Sequence, residues 1–472
     1  MSRAAFAVLT LLAAGVSAAG PAMVDFGETT GPVRRLNGIG GGTSMKGSRE
    51  AWESRLDDYA KLDFAMVRLH DIPLVNPGTQ LVDLQCLFPV WNRKADPMDE
   101  SNWFFDATDD YLKALRRSVP NGTVVYRLGS SIEHNQPRKY FARPFTDNAF
   151  YAEICAGVVR HYTTGWANGF DAGIGYWEIG NEPDEPKQWD GALETYLPLY
   201  VTVAKRLRAE FPGIKIGGPA LGGLADEEES CDRLARLCRK EGAPLDFFSY
   251  HGYIRDSLSG RGGAAANLRK ILDRNGFEAA ELFFDEWHYV ESGAWWPALK
   301  AGGDLARKIK SDPVEGLHGS KSAAFVVKCL VDWQDTPLSM ACYYQGIGDS
   351  WGLYDSFWNR RPTWWAHYEF AQVSKGGRSV RAKAVGAPAD ITLMACVRED
   401  GSKALLLSSM KPQPEMAIEL KGVAASGEAV LFSLEGSDRT ESRLAWNGGR
   451  MLLPAADRPF VRRVELQSGA CR

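Results

Sequence analysis

The stretch "IGYWEIGNEPD", Ile174 to Asp184, decides the fold prediction because it reads as a buried strand that ends in polar residues. Aromatic and β-branched residues dominate Ile174 to Ile179, and residues of these types favour strands. Asn181, Glu182 and Pro183 follow, and a strand interior does not favour them. The sequence therefore predicts a strand that presents an amide and a carboxyl group at its end.

Similar apolar runs recur along the chain and alternate with helical patterns. The candidate strands are residues 37–42, 65–70, 123–129, 174–179, 214–219, 245–253, 281–287 and 338–346. Helical patterns lie near residues 48–62, 147–165, 193–207, 229–240, 267–274, 320–333 and 363–374. Apolar strands followed by helices predict an α/β fold, a (β/α)8 barrel whose strand-to-helix loops hold an active site. A doubly wound sheet is the alternative. Within the helical pattern at residues 193–207, Pro198 predicts a kink or a later start of the helix.

The last hundred residues have a different pattern. Short β runs at 391–397, 404–409, 429–434 and 460–466 are separated by Gly, Ser, Pro and Asp, which predicts a β-sandwich accessory domain over 376–472. Residues 20–35 read as a strand pair that joins this sandwich. The barrel then occupies residues 36–375.

The N-terminal 19 residues resemble a secretory signal peptide. Arg3 precedes an apolar run from Ala4 to Val16, and the small residues Ser17 to Ala19 follow it. That run is too short for a membrane span, and no later stretch reaches the roughly 20 apolar residues a span needs. The sequence predicts a secreted or periplasmic protein; a frayed or anchored N-terminal helix is the alternative.

Composition limits the possible partners. The chain has 472 residues, a formal net charge of -4 and no basic block, which argues against nucleic acid or an anionic membrane as a partner. Its seven His are dispersed and its eight Cys lack paired spacing, so we predict no metal and no cofactor. The cysteines read as small buried residues, although one or two disulfides remain open, as does the oligomeric state.

A second carboxylate follows another predicted barrel strand. The run "LFFDEW" ends near Glu286, and the end of a barrel strand is where Glu182 also lies. Hydrolysis of a glycosidic bond needs one carboxylic acid to protonate the leaving oxygen and one carboxylate to attack or stabilise the sugar cation. The pair therefore predicts glycosidase chemistry.

At these residues the chain resembles glycoside hydrolase family 39. "WEIGNEPD" is similar to the family's acid/base motif, "VRLH" to its second strand, "LDFFSYHGY" to its sixth and "FFDEW" to its nucleophile strand. The resemblance implies Glu182 as acid/base, Glu286 as nucleophile and Asn181 as a partner of the substrate's 2-hydroxyl. The N-terminal strands and C-terminal sandwich are similar to the family's accessory domain. Gly180 and "EWHYV" depart from the family pattern and leave the preferred sugar open.

Other predicted site residues lie at neighbouring strand ends. Arg68 and His70 end the second strand, and an Arg near the nucleophile would keep it ionised; a purely structural ion pair is the alternative. His251 and Tyr253 end the sixth strand, within reach of Glu286, or pack in the core. Candidates for stacking on sugar rings are Trp189, Trp287, Trp295, Trp296 and Trp351. The long segment 71–104 predicts a loop that walls the site.

The predicted function is a secreted retaining glycoside hydrolase acting on oligosaccharides or polysaccharides. A β-xyloside is the leading substrate by resemblance, and an α-L-arabinofuranoside, a β-galactoside, a uronide or endo action on a polysaccharide remain open. A non-catalytic carbohydrate-binding barrel is the alternative of another class. For a retaining mechanism we predict carboxyl groups about 5–5.5 Å apart, with the pKa of Glu182 raised by the charge of Glu286.

Overall fold

The computed structural model describes residues 21–43, 49–70, 72, 81–131, 147–186, 188–189, 191–348 and 351–467. The predicted signal peptide lies outside these ranges. No helix within them combines the length and the hydropathy that crossing a bilayer requires. The seven cysteines in these ranges are all free thiols, and Cys471 lies outside them.

A closed parallel barrel forms the larger part of the described chain and confirms the (β/α)8 prediction over the doubly wound alternative. Strand β1 (Ala22–Pro32) precedes it, and β2 to β9 then hydrogen-bond in chain order, with β9 closing on β2. The barrel strands are β2 (Asn37–Gly40), β3 (Met66–Leu69), β4 (Thr123–Leu128), β5 (Ile174–Ile179), β6 (Lys215–Leu221), β7 (Phe247–Ile254), β8 (Glu281–Tyr289) and β9 (Met340–Tyr344).

Helices follow the barrel strands and pack on their outer faces. They are α1 (Arg49–Ala60), α2 (Leu84–Leu87), α3 (Asp106–Ser118), α4 (Asn148–Thr164), α5 (Leu193–Glu210), α6 (Glu227–Glu241), α7 (Ala265–Arg274), α8 (Trp295–Ala301), α9 (Gly303–Ser311), α10 (Ser320–Asp332) and α11 (Pro362–Ser374). Helix α5 begins at Leu193 with Pro198 inside it, so the predicted later start is wrong. Sequence reasoning missed α3, although its buried Tyr111, Leu112 and Leu115 follow the helical period.

The barrel interior has an apolar layer and a polar layer. Met66, Val125, Phe247 and Phe283 pack together with Met340 and Cys342. Side chains alternate along a strand, so residues two positions further along point to the same interior. The polar layer that results contains Arg68 after Met66 and Asp285 after Phe283. Charged residues therefore lie buried at the end of the barrel where the strand-to-helix loops begin.

The C-terminal β domain closes on itself. Its remaining strands are β10 (Val380–Val385), β11 (Thr392–Val397), β12 (Lys403–Ser409), β13 (Met416–Lys421), β14 (Gly427–Glu435), β15 (Asp438–Asn447), β16 (Arg450–Leu453) and β17 (Phe460–Leu466). The predicted sandwich is hydrogen-bonded as one closed mixed sheet, in the order β1-β10-β11-β12-β17-β14-β15-β16-β13. The N-terminal segment contributes the single long strand β1 rather than a strand pair, and it pairs with β10 and β13.

A buried ion cluster ties the β domain to the barrel. Glu369 of α11 is 2% exposed and accepts hydrogen bonds from Arg439 at 2.9 Å and from Arg463 at 2.5 Å. Both arginines belong to the β domain. Because a buried carboxylate without a partner is costly, these contacts fix α11, the last helix before the β domain, against that domain.

Candidate active site

The backbone at the end of β5 turns Glu182 back over the barrel mouth. Gly180 has φ +80° and Glu182 has φ +44°, and the left-handed region costs a residue with a Cβ roughly 1–2 kcal/mol. The amide of Glu182 donates a 2.8 Å hydrogen bond to the carbonyl of Ala220, which holds this conformation. Strain of this kind in a non-glycine residue is typical of functional sites.

Gly222 leaves the space that the Glu182 side chain occupies. A Cβ at position 222 would lie 2.8 Å from Cδ and 2.9 Å from Cγ of Glu182. No real Cβ makes contacts this short, so a side chain here would displace the carboxyl group. The glycine is therefore part of how the fold positions Glu182.

A bulge in β8 brings two consecutive carboxyl groups toward the barrel interior. Phe284 pairs with Tyr250 of β7, and Glu286 pairs with His251, so Asp285 is the extra residue on β8. A regular strand would point neighbouring residues to opposite faces, and a bulge breaks that alternation. Both Asp285 and Glu286 are buried in the polar layer.

Glu182 and Glu286 lie together with His251 between them. Donor atoms of the three side chains all lie within 4.8 Å of one another. His251 Nδ1 is 2.8 Å from Glu182 Oε1 and 3.7 Å from Glu286 Oε2. The hydroxyl of Tyr253 donates to Glu286 Oε1 at 2.6 Å. Two carboxyl groups thus face one another at the barrel mouth with different partners.

Arg68 is the cation of the polar layer. Its guanidinium contacts Glu178 at 2.7 Å, Asp285 at 3.2 Å and Glu286 at 3.4 Å. Burial lowers the pKa of Arg68, but these carboxylates raise it further, so the net shift is upward. Burial raises the pKa of Glu178, but Arg68 outweighs burial and lowers that pKa to about 2. Arg68 and Glu178 are therefore a permanent buried ion pair.

Glu182 and His251 are both neutral in this environment near pH 6. Burial raises the pKa of Glu182 to about 7, with His70 acting in the opposite direction and Asp184 adding to the rise. The largest cause is thus burial, whereas the sequence argument had assigned it to Glu286. Burial also lowers the pKa of His251 to about 3. Glu182 can therefore hold a proton at a pH where ordinary glutamates have lost it.

A cavity of about 540 Å³ opens above the two carboxyl groups. Several predicted site residues line it, namely His70, Glu182, Tyr253, Glu286, Trp296 and Trp351. The rings of Tyr253, Trp296 and Trp351 form an aromatic wall with centroid separations of 4.9, 5.3 and 5.6 Å. Three more predicted site residues, Asn181, Arg68 and His251, lie beneath the lining. Arg68 donates a hydrogen bond to Asn181, and His251 is hydrogen-bonded to Glu182 of the lining.

Three tryptophans from the predicted stacking set lie away from this cavity. Trp287 is completely buried and packs edge-on against Trp333. Trp189 packs against Tyr196, and Trp295 packs near Tyr289. No described residue of segment 71–104 lines the cavity, while residues 71 and 73–80 lie outside the described ranges.

The structure also adds residues that sequence reasoning missed. Glu178 and Asp285 are the buried carboxyls of the polar layer, and Tyr344, Arg261 and Lys300 line the cavity. The signal for the first two was present in the sequence: each is an acidic residue inside an otherwise apolar strand, which a buried strand tolerates only with a partner. Nothing local marked the other three.

A metal ion is not favoured between Glu182, His251 and Glu286, although their donor atoms are close enough for one cation. The guanidinium of Arg68 lies 3.4 Å from Glu286, and a second positive charge there would be repelled. We assign no metal to this site.

Comparison with known proteins identifies the family. The profile of glycosyl hydrolases family 39 matches residues 37–349, which includes every barrel strand and both facing glutamates. The chain belongs to glycosyl hydrolase family 39. The resemblance drawn from "WEIGNEPD" and "FFDEW" is thereby confirmed, and family 39 is a family of glycoside hydrolases.

Two curated relatives of this chain are β-xylosidases. A β-xylosidase of Caldicellulosiruptor saccharolyticus is 28% identical over 185 residues, 36% of this chain and 32% of the relative. One of Geobacillus stearothermophilus is 32% identical over 149 residues, 31% of this chain and 29% of the relative. The matched part thus spans about a third of each relative's length.

Solved structures share the whole fold of this family 39 chain. A glucosidase from Croceicoccus marinus superposes with a TM-score of 0.72 at 19% identity, covering 94% of this chain and 98% of the other. A monomeric β-xylosidase from Caulobacter crescentus CB15 gives 0.65 at 16% identity, covering 95% and 99%. At these identities the likeness shows the fold.

Proposed function

We propose that this family 39 chain is a retaining glycoside hydrolase in which Glu286 is the nucleophile and Glu182 the acid/base. The observation that carries the proposal is the facing of the two carboxyl groups in unequal environments. Glu182 is mostly shielded from solvent and has its pKa raised to about 7, whereas Glu286 is buried, accepts a hydrogen bond from Tyr253 and lies near Arg68. Ligand atoms of the two carboxyl groups lie within 4.8 Å of each other, which supports the short carboxyl separation of a retaining enzyme over the wider one of an inverting enzyme.

In the first step Glu286 attacks the anomeric carbon while Glu182 protonates the leaving oxygen. A carboxylate–carbon bond forms, the glycosidic bond breaks, and the proton of Glu182 leaves with the alcohol. Tyr253 contacts Oε1 of Glu286 and Arg68 contacts Oε2, so the carboxylate is oriented before substrate binds.

In the second step the same groups exchange roles. Glu182, now a carboxylate, removes a proton from water, and the hydroxide oxygen attacks the anomeric carbon and releases Glu286. Glu182 regains its proton, and the sugar keeps its configuration. A pKa near the working pH suits a group that must both give and take a proton.

Asn181 is suited to hold the substrate. Its carbonyl oxygen accepts a 2.6 Å hydrogen bond from Arg68, which fixes which side of the amide is oxygen. Its amide nitrogen has no hydrogen-bond partner within the described ranges. A buried amide left unpaired is costly, and a sugar hydroxyl would satisfy it. The aromatic wall offers flat apolar faces for the sugar ring.

The proposed substrates are β-xylosides in oligosaccharides. Both curated relatives described above are β-xylosidases, and this supports xylose over other sugars. An α-L-arabinofuranoside, a β-galactoside, a uronide, or endo action on a polysaccharide are the alternative substrates and modes for the same mechanism. We also propose export directed by residues 1–19 and an accessory role for the β domain at 376–472, with the barrel at 36–375.

A panel of aryl glycosides, with the anomeric configuration of the first product followed by NMR, tests the function. We expect the β-xyloside to react fastest and the β-anomer to form first. An α-anomer as first product would show inversion and contradict the proposal, and failure of every glycoside to react while xylo-oligosaccharides bind would favour a non-catalytic carbohydrate-binding barrel.

Trapping tests which carboxyl group attacks. A 2-deoxy-2-fluoro glycoside of the preferred sugar slows breakdown of the covalent intermediate, and peptide mapping should then place the label on Glu286. A label on any other residue, together with substantial activity in Glu286→Ala, would remove Glu286 as nucleophile.

A further inference from the structure

The cavity above the two facing glutamates has two sides, and the proposed mechanism uses only one of them. On that side the aromatic wall stands beside Glu286. The other side is lined from the loops after β5 and β6 by Glu185, Gln188, Gly222, Gly223 and Leu224. Strand β5 is four places from β9 in the closed eight-stranded barrel, so the loops that follow these two strands face each other across the barrel mouth.

The geometry of the displacement places the leaving group on this second side. The two carboxyl groups of a retaining enzyme flank the scissile bond, so the sugar that becomes attached to Glu286 lies against the wall and the departing oxygen lies next to Glu182. Whatever is bonded to that oxygen extends past Glu182. A Cβ at Gly222 would lie 2.9 Å from Cγ of Glu182, so the loop after β6, residues 222–225, is the surface directly beyond it.

Asp184 holds this loop in one conformation. Its Oδ1 accepts a hydrogen bond from the amide of Gly222 at 2.8 Å. Its Oδ2 accepts from the amides of Gly223, Leu224 and Ala225 at 2.9, 2.9 and 3.0 Å. Hydrogen bonds to a carboxylate are stronger than those between neutral groups, and four of them leave the loop backbone little freedom. The surface that faces the leaving group therefore exists before substrate binds, which lowers the entropy cost of binding.

Leu224 is the apolar part of this surface. Gly222 and Gly223 bring no side chain to the cavity lining, so Leu224 supplies the side chain of the loop there, and it is 66% exposed. Covering a leucine side chain is favourable because it removes apolar surface from water. The C–H face of a sugar ring, or a flat aromatic ring, would cover it.

Gln188 supplies an acceptor that lacks a donor. Its Oε1 is shielded from solvent and has no hydrogen-bond partner among the described residues, and the residue lines the cavity. Its backbone amide donates to the carbonyl of Glu185 at 2.8 Å, which fixes the point from which the side chain starts. A shielded carbonyl oxygen without a donor is costly, and a hydroxyl of the leaving group would supply one.

The charges on this side favour a neutral leaving group. Arg261 lines the cavity here, and its guanidinium already binds Glu227 at 2.9 Å and the carbonyl of His251 at 2.7 Å. Glu182 and Glu185 add carboxyl groups to the lining. An acidic leaving group would meet these carboxyl groups and a guanidinium that is already paired, so it would be repelled.

We propose that the loop at residues 222–225 and Gln188 form a leaving-group subsite for a neutral sugar unit, in which Leu224 packs on the sugar ring and Gln188 Oε1 accepts from one of its hydroxyls. A sugar has both an apolar face and hydroxyl donors, whereas a plain aryl group offers only the first. This inference rests on the proposed function and adds to it the chemistry of the leaving group.

Acceptor binding to the trapped intermediate tests this subsite by itself. In the 2-deoxy-2-fluoro glycosyl-enzyme the sugar is bonded to Glu286 and the leaving group has departed. An added alcohol binds in the vacated subsite, gives its proton to Glu182, attacks the anomeric carbon and releases Glu286. Recovery of activity is followed against the concentration of methyl β-xyloside. We expect saturable reactivation that is faster than in water alone, and reactivation that never exceeds the rate in water would overturn the proposal.

Two substitutions separate the two contacts. Leu224→Ala should raise the apparent dissociation constant of methyl β-xyloside about threefold to tenfold, and so should Gln188→Leu. Benzyl alcohol has an apolar ring and no hydroxyl besides the one that reacts. Its dissociation constant should rise in Leu224→Ala and stay within about twofold of the wild-type value in Gln188→Leu. Leu305→Ala is the matched control, since Leu305 is 59% exposed on α9 and lies outside the cavity lining.

The outcomes distinguish this subsite from the proposed function. Equal weakening of both acceptors in Gln188→Leu, or an effect of Leu224→Ala no larger than that of Leu305→Ala, would overturn the proposal. So would stronger reactivation by methyl β-glucuronide than by methyl β-glucoside, since the former carries a carboxylate. If label never forms on Glu286, the proposed function fails and this inference falls with it. Labelled protein that reactivates equally in all variants refutes this inference alone.

Discussion

The hydroxyl of Tyr253 donates a 2.6 Å hydrogen bond to Oε1 of Glu286. The same ring stands in the aromatic wall, 4.9 Å from Trp296 and 5.3 Å from Trp351 between ring centroids. One side chain thus links the proposed nucleophile to the aromatic wall that is proposed to hold the sugar.

Tyr253→Phe should keep the wall and lose the hydrogen bond. A hydrogen bond to a charged group contributes roughly 1.5–3 kcal/mol, so we expect kcat/KM to fall about tenfold to a hundredfold with little change in melting temperature. The control is Tyr250→Phe on the same strand, whose hydroxyl has no partner among the described residues. Equal losses in both variants would mean that the Tyr253 hydroxyl does not act on Glu286.

Glu182→Ala should discriminate between leaving groups. Substrates with poor leaving groups need the acid and should lose several orders of magnitude in rate, whereas aryl glycosides with good leaving groups need little protonation in the first step. Azide should restore rate by entering the space of the missing carboxylate and attacking the intermediate. Steady-state kinetics with both substrate types checks this, and an equal fall for both without azide rescue would contradict the acid/base assignment.

Activity should fall on the alkaline side as Glu182 loses its proton. Because burial raises its pKa to about 7, the acid form is present below pH 7 and is lost above it, so kcat/KM should decline with a midpoint near pH 7. A pH–rate profile measures this. A midpoint that stays in place after the conservative change Glu182→Gln, at reduced rate, would show that another group titrates.

The same shift predicts a stability effect. A carboxyl group whose folded pKa is raised stabilises the fold below its unfolded pKa, near 4.5, and this contribution is lost as pH rises through about 7. Glu182→Gln removes the buried charge and should raise the free energy of unfolding at pH 8 by on the order of 2–3 kcal/mol, with little gain at pH 4. Thermal melts at both pH values test it, with the exposed Glu278→Gln as control.

Gly222→Ala should damage catalysis through geometry alone. The new Cβ would lie 2.8 Å from Cδ of Glu182 and must push the carboxyl group aside, so we expect kcat to fall about a hundredfold while good leaving groups are less affected. Gly213→Ala is the matched control, because a Cβ there meets nothing within 4 Å. Wild-type kcat in Gly222→Ala would show that Glu182 has freedom the structure does not suggest.

The strand ends explain how much of this site the sequence could predict. Apolar runs such as 174–179 and 281–287 must be buried strands, and the chain order of strand and helix leaves few alternatives to a parallel barrel. Once the barrel is accepted, Glu182 and Glu286 have to lie at the same end, and so do Arg68, His251 and Tyr253. The local sequence was therefore enough to predict where the strands end and which residues lie at those ends.

Which aromatic residues reach the cavity could not be predicted in the same way. Trp287 follows Glu286 directly, yet the alternation along β8 turns its ring outward into the layer between strands and helices, where it packs on Trp333. Trp351 is far from Tyr253 in sequence, and their contact exists only because the closed barrel brings the loop after β9 to the end of β7. The direction in which a side chain points and the distance between two loops both depend on how the sheet closes.

The sequence by itself determined the barrel, the two carboxyl groups and the family, because hydrophobic period and strand-end chemistry are local properties of the chain. Only the tertiary structure decided the electrostatics of the site. The bulge at Asp285, the reach of Arg68 to three carboxyl groups and the burial that raises the pKa of Glu182 all arise between strands that are distant in sequence. Charge interactions depend on separations of a few ångströms and on exclusion of water. Neither can be derived from the order of residues along one strand.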